Sequence, residues 1–476
     1  MVSSTRRRER IGHTLVGVAL AVVAAFAVVP AGTATAAPGV TTHDNVAVGV
    51  APIVPVLPEQ DPAFYSPPQS VVETKKPGQI ISARRVTIAN LSLIPIPVDA
   101  WQVSYRSTDT HGTPIAAVTT LLKPRSARTP DGKPRRLLVF NSATDGLARY
   151  CDPSYQYQFA SVPWQLSGSA AVGNEILQAQ AALAQGWTVS VPDVQGPKSA
   201  YAAGPLQGRI ALDSARAAQR FAPLGLQNTT RVGLVGYSGG AIATNWAGEL
   251  AASYAPDLDI AGIASGGSQP ELDKTLNMAE GQATAGLIFA AVIGLGREYP
   301  QLSNYIDKHI TPEGRALLGA KDNLCLTYSA MLVPFLQNKT LLRGGDPLRA
   351  PDVAAVIAKT RMGSTAPRAP LFQFHSRGDW IAPIGPVNAM VAKYCAAGAD
   401  VTYLRDRVSE HITLDVAATP TWMMWMRDRF NGVPPQKGCS IRDVDSVTLD
   451  QRTWPVWVNT VGDVLAGVFQ KPLGVK

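Results

Sequence analysis

The stretch RVGLVGYSGGAIATNWAGEL, residues 231–250, decides the reading of this chain. Its first part is apolar and rich in valine, as a buried strand is. Its second part is rich in alanine, as a helix is. Between them Gly236, Tyr237, Ser238, Gly239 and Gly240 fit the pattern G-x-S-x-G. A strand that turns straight into a helix strains the backbone at the serine, and side chains two residues to either side would collide there. The strain exposes a hydroxyl beside a helix N-terminus, where backbone N–H groups stabilise negative charge. The chain holds 41 glycines, so the bare pattern carries little weight. The strand before it and the helix after it set it apart from ordinary turn chemistry.

A serine hydroxyl is inert at neutral pH without a base, and the base needs a carboxylate to orient it. On an α/β-hydrolase sheet these partners follow in the order Ser, Asp or Glu, His, each on a loop after a later strand. PLFQFHSRGDWIAP (370–383) places Asp379 just past an apolar strand, and VTYLRDRVSEHITL (401–414) places His411 after the next one. His43 and His111 precede the elbow, and His309 falls in a different kind of segment. His375 sits too near its strand end to be more than a supporting residue, while the rival acid Asp406 shares the loop of His411. The expected roles are Ser238 as nucleophile, His411 as proton carrier and Asp379 as its orienting carboxylate. The Gly239 N–H is one expected oxyanion donor, and the second falls on the loop after LLVF, around Asn141 and Ser142. This chemistry requires no metal and no organic cofactor.

Outward from the elbow, RRLLVFNSA (135–143) and WTVSVPDV (187–194) read as strands, and GNEILQAQAALAQG (173–186) and GRIALDSARAAQRFA (208–222) as helices. The alternation predicts an α/β fold, a mostly parallel central sheet with helices on both faces, and its weakening between about 270 and 360 predicts a helical insertion over the sheet. Residues 1–37 read as a signal peptide, 38–80 as an extended arm on the surface, and 81–270 as the first part of the core. A helical cap or lid over 271–360, the second part of the core over 361–440 and a tail over 441–476 complete the chain. TAGLIFAAVIGLG (284–296) is apolar on nearly all sides and suits either a buried core helix or a substrate-facing cap segment. TWMMWMRDRF (421–430) reads as the core side of the final helix rather than a lipid-binding surface.

Arg6, Arg7, Arg8 and Arg10 precede an apolar run of about 15 residues and the small residues ATAAP. This predicts export with cleavage after Ala36 or Ala37; the run falls short of the ~20 residues of a membrane span. The signal takes four arginines and one glutamate with it, which lowers the net charge from +8 to +5. That mild balance, with no basic block interleaved with aromatics, argues against a nucleic-acid partner. Charged residues make up 16% and apolar residues 46%, enough for a large buried core. Cys151, Cys325, Cys395 and Cys439 form no close pair of the metal or redox kind. In an exported chain they read as two disulfides with three connectivities open, or else as buried thiols.

Five segments carry a family resemblance: GYSGGAIATNWAGELAASYAPDLDIAG (236–262), CDPSYQY from Cys151, GPKSAYAAG (196–204), HSRGDWIAP (375–383) and YCAAGADVTY (394–403). Across residues 70 to 440 the chain resembles the secretory lipases typified by fungal Candida lipases, with many exported actinobacterial members. The resemblance implies a capped α/β-hydrolase, activity on lipid esters, and the pairings Cys151–Cys325 and Cys395–Cys439. Two departures stand out. The family carries an Asp in the second oxyanion loop, and Ser142 of NSATDG aligns with it here. ASGGSQPEL (264–272) replaces a His-Gly-Gly run. The leading function is that of a secreted, monomeric carboxylic-ester hydrolase, a triacylglycerol lipase whose partner is a lipid or small ester. The cap segment around Leu287, Ile288 and Phe289 is the candidate acyl lining and touches the lipid interface transiently. An acyltransferase or serine peptidase uses the same fold and triad, and a non-catalytic envelope lipid-binding protein is the reading from another class.

Overall fold

The computed structural model describes residues 43–473 apart from 127, 128 and 130. The expected signal peptide therefore lies outside the described residues. The molecule is organised by an eleven-stranded sheet. In chain order its strands are β1 (Val48–Val50), β2 (Ile80–Arg85), β3 (Val98–Thr108), β4 (Pro114–Pro124), β5 (Leu137–Asn141) and β6 (Thr188–Pro192). They continue as β7 (Val232–Tyr237), β8 (Ile260–Gly266), β9 (Leu371–Ser376), β10 (Val401–Asp406) and β11 (Cys439–Val444). Their order across the sheet is β1-β2-β3-β4-β6-β5-β7-β8-β9-β10-β11. From β6 to β11 every neighbouring pair is parallel. The β2–β3, β3–β4 and β4–β6 pairs are antiparallel.

The central strands are continuous apolar runs because helices cover both faces. Alternate residues of β7 point to opposite sides: Val232 and Leu234 join one core cluster, Val235 and Tyr237 the other. On the second face lies α1 (Ala170–Ala184), while α2 (Gly204–Arg220) and α3 (Gly239–Tyr254) pack together on the first. Between β8 and β9, over the residues read as a cap, lie six α-helices: α4 (Leu272–Ala279), α5 (Ala285–Glu298), α6 (Pro300–His309), α7 (Pro312–Lys321), α8 (Leu326–Met331) and α9 (Pro351–Thr360). The all-round apolar run 284–296 becomes α5, with Leu287, Ile288, Phe289 and Ala290 all buried. The second half of the core adds α10 (Ile384–Ala396), α11 (His411–Ala417), α12 (Thr419–Phe430) and α13 (Trp454–Val468). Along α12, Trp422, Met423, Met426 and Phe430 face inward, which makes this stretch core.

Two segments differ from their sequence reading. In the 38–80 arm, β1 pairs with β2 and Phe64, Tyr65 and Val72 are buried, with the Tyr65 hydroxyl 3.1 Å from Ser154 Oγ. The aromatic residues pull the arm in despite its prolines. The 441–476 tail supplies most of β11, the far edge of the sheet, and then α13. That strand is exposed and polar, so it lacks the apolar signature of its neighbours. The cysteines pair as Cys151–Cys325 and Cys395–Cys439, with Cα atoms 5.4 and 5.8 Å apart.

Candidate active site

Four loops at the carboxyl ends of β5, β7, β9 and β10 meet in one place. From β5 the chain steps outward to β6 and returns to β7 on the other side of β5. The strand order therefore reverses beside the elbow, where open α/β sheets form their binding crevice. Ser238 links β7 to α3 with φ 50° and ψ −119°, a backbone region that disfavours a side chain. The flanking glycines are steric necessities. A Cβ on Gly236 would overlap the Gly240 carbonyl and stand 2.5 Å from Thr244 Oγ1, and one on Gly240 would overlap the Asn141 carbonyl.

Ser238 Oγ lies 2.8 Å from His411 Nε2, and His411 Nδ1 lies 2.7 Å from Asp379 Oδ2. The remaining Asp379 oxygen accepts the backbone N–H groups of Ile381 (2.9 Å) and Ala382 (2.7 Å). Burial alone would push the Asp379 carboxyl up. The His411 hydrogen bond and charge, His375 and the Ala382 amide outweigh it and hold the carboxyl below the usual range. His411 is fixed from behind: the Tyr237 hydroxyl donates to its backbone carbonyl at 2.6 Å. A Cβ on Gly267 would stand 2.8 Å from the Tyr237 ring and 3.0 Å from His411 Cε1, so the glycine of the altered ASGGSQPEL run leaves room for both rings. From the same run, Gln269 Nε2 reaches Ser238 Oγ at 3.4 Å.

The rival candidates take supporting places. His375 is fully buried, with Nε2 2.9 Å from the Ala382 carbonyl and 3.5 Å from Asp379 Oδ2; burial lowers its pKa. Asp406 spends its carboxylate on the N–H groups of Val408, Ser409 and Val447, which shapes the loop leading to His411.

Beside the expected second oxyanion donor, Ser142, stands an acid that the sequence reading did not single out. The Ser142 hydroxyl is hydrogen-bonded to the Glu175 carboxylate. The carboxyl that stands against the elbow belongs to Asp145, whose Oδ1 would overlap a Cβ placed on Gly239. Asp145 has φ 43° and is buried. Burial pushes its carboxyl up to about 7, while the His411 charge and the Tyr201 hydroxyl pull the other way. Two residues of loop separate Ser142 from Asp145. The signal available in the sequence was that Asp145 is the sole acid between Leu137 and Cys151. Among the described residues no group of three His, Cys, Asp or Glu side chains gathers as a metal site.

Several apolar side chains are exposed near this centre. Trp380, Val408, Ile412 and Val416 are exposed on the segments that carry Asp379 and His411. Within the cap an apolar cleft is lined by Leu276, Phe289, Ile293, Leu302, Ile306 and Leu341. Of the three cap residues singled out in the sequence, Phe289 lines it.

The sheet, its crevice and the elbow define an α/β-hydrolase. The sequence model of the secretory lipase family matches residues 161–438, more than half of the chain. Lipase A of Arthroderma benhamiae is 32% identical over 427 residues, spanning 88% of this chain and 90% of that protein. A probable inactive lipase of Mycobacterium tuberculosis is 36% identical over 386 residues, 80% of this chain and 84% of that one. The closed-state crystal structure of Candida antarctica lipase A superposes with a TM-score of 0.78 at 26% identity, covering 88% of this chain and 98% of that chain. This chain belongs to the secretory lipase family, within the lipase and esterase class of hydrolases. No helix among the described residues is long and apolar enough to cross a membrane.

Proposed function

We propose that this chain is a secreted serine hydrolase that cleaves the ester bonds of lipids, triacylglycerols among them, through Ser238, His411 and Asp379. The observation that carries the reading is the unbroken hydrogen-bond line Ser238–His411–Asp379, at 2.8 and 2.7 Å. Ser238 Oγ attacks the acyl carbonyl as His411 Nε2 takes its proton. The imidazolium, stabilised by Asp379, returns that proton to the leaving alcohol. Water then repeats the sequence in reverse on the acyl-enzyme. The Gly239 N–H, at the start of α3, is one donor to the oxyanion, and Asp145 supplies the other. Below pH 7 the Asp145 carboxyl is protonated and can itself donate, as a buried neutral acid does. The apolar rim and the cap cleft favour acyl chains over peptides.

Because one relative carries the description of an inactive lipase, activity has to be measured on this chain. In a p-nitrophenyl ester series from C2 to C16, wild type turns over and Ser238→Ala loses kcat by about 10⁴- to 10⁶-fold. Equal rates in the two proteins, or none in either, would remove Ser238 as the nucleophile. A rate maximum at long chains separates a lipase from a short-chain esterase.

A further inference from the structure

Glu175 stands on α1, 2% exposed, on no strand or loop that carries the triad. Both its oxygens accept the Ala143 N–H at 3.1 Å, and the Ser142 hydroxyl bonds to one of them. Among the described residues, no arginine or lysine stands with the groups that bear most on its charge. Those that do are acids, Asp415 and Asp145, and Tyr157 lies close enough to feel the charge of Glu175. A buried carboxyl without a cation is costly to keep, and burial drives Glu175 well above the usual carboxylate range. Its hydrogen bonds all go to one short loop. Two residues past Ala143 that loop turns through the left-handed backbone of Asp145 and lays its carboxyl against Gly239. One turn further along α1, Gln178 donates at 3.0 Å to Asp415, which lies on the helix that His411 begins.

We propose that Glu175 is a positioning residue of the oxyanion pocket: it clamps Ser142 and Ala143 so that Asp145 is held against the elbow. The inference rests on the ester-hydrolase reading of Ser238. The clamp acts on the donor loop and leaves the acyl cleft untouched. Its loss therefore lowers kcat alike for every chain length and leaves KM in place. A glutamine keeps one acceptor for the Ala143 N–H and an amide that can donate to Ser142, so it restores most of what an alanine loses.

The test compares Glu175→Ala and Glu175→Gln with wild type on C4 and C12 p-nitrophenyl esters. Active sites are first counted with a p-nitrophenyl phosphonate, so that unfolded protein does not register as lost kcat. In parallel, the Kd of an alkylboronic acid, whose serine adduct places a tetrahedral oxygen in the pocket, reads the site without turnover. Glu175→Ala is expected to lower kcat per active site about 10- to 100-fold on both esters, less than the loss of a whole donor costs. Its boronate affinity should weaken by a similar factor with KM within threefold, and Glu175→Gln should recover most of both. If the alanine variant retains kcat and boronate affinity, or if its effect lies in KM and differs between C4 and C12, the positioning role is overturned. A wild type that binds the boronate but turns over neither ester overturns the ester-hydrolase reading alone, and the affinities still decide Glu175. A wild type that does neither overturns both.

Discussion

Two acids near Ser238 behave in opposite ways. Asp379 is held ionised by the imidazole and two backbone N–H groups. Its depressed pKa contributes stability at neutral pH that is lost as pH falls through the folded value. Asp145 is the reverse case. Burial raises it to about 7, so between about pH 4 and 7 the folded chain holds a proton that the unfolded chain has released. Stability therefore declines as pH rises through that window, by on the order of 4 kcal/mol for a shift of about three units. Asp145→Asn removes the titration. Thermal melts from pH 5 to 8 should show a flatter Tm in the variant than in wild type. If the neutral carboxyl donates to the oxyanion, wild-type kcat on a short ester should also fall above about pH 7, while the asparagine variant keeps a level alkaline side. An identical alkaline decline in both proteins would leave the donor role to backbone alone.

At the scale of elements, what sequence reveals depends on burial. β7 and α3 were legible because their residues are buried almost throughout and the turn between them tolerates so few side chains. Asp379 and His411 were legible because each follows a buried apolar strand of the parallel sheet. β11 escaped notice because an edge strand needs no apolar face, and its Arg442 and Asp443 look like loop. Asp145 escaped because its place is set by a left-handed turn and by Glu175 on another helix, and neither leaves a periodic trace. The elbow residue before the serine joins two of these elements. Tyr237, at the end of β7, donates to the carbonyl of the first residue of α11. Tyr237→Phe leaves that acceptor unmatched and should cost about 1 to 2 kcal/mol of stability. With His411 less firmly placed, kcat should fall several-fold while KM holds. Urea unfolding and ester kinetics on the one variant check both.

For the whole molecule, the question is how the helices between β8 and β9 are tied to the loops of the sheet that carry the site. Leu147, in the loop beyond Asp145, donates to the Leu324 carbonyl at 2.9 Å, and its own carbonyl accepts from Arg297 of α5 at 2.6 Å. The Cys151–Cys325 disulfide closes over these contacts, fastening the oxyanion side of the core to α8 of the cap across 174 residues. Cys395–Cys439 joins α10 to the edge strand β11 across 44 residues, away from the catalytic loops. In the chain-entropy model these loops are worth about 5 and 4 kcal/mol, nearly the same. Their functional effects should differ. A Cys395→Ser/Cys439→Ser variant should melt lower yet keep the chain-length profile of wild type at a temperature where both are folded. A Cys151→Ser/Cys325→Ser variant should melt lower and also lose selectivity between C4 and C16 esters, because α8, which packs on the cleft-lining α5, is no longer tied to the oxyanion side of the core. Matching profiles in the two variants would mean that the Leu147 and Arg297 hydrogen bonds suffice to keep the cap in register, and that the disulfide over them only stabilises the chain.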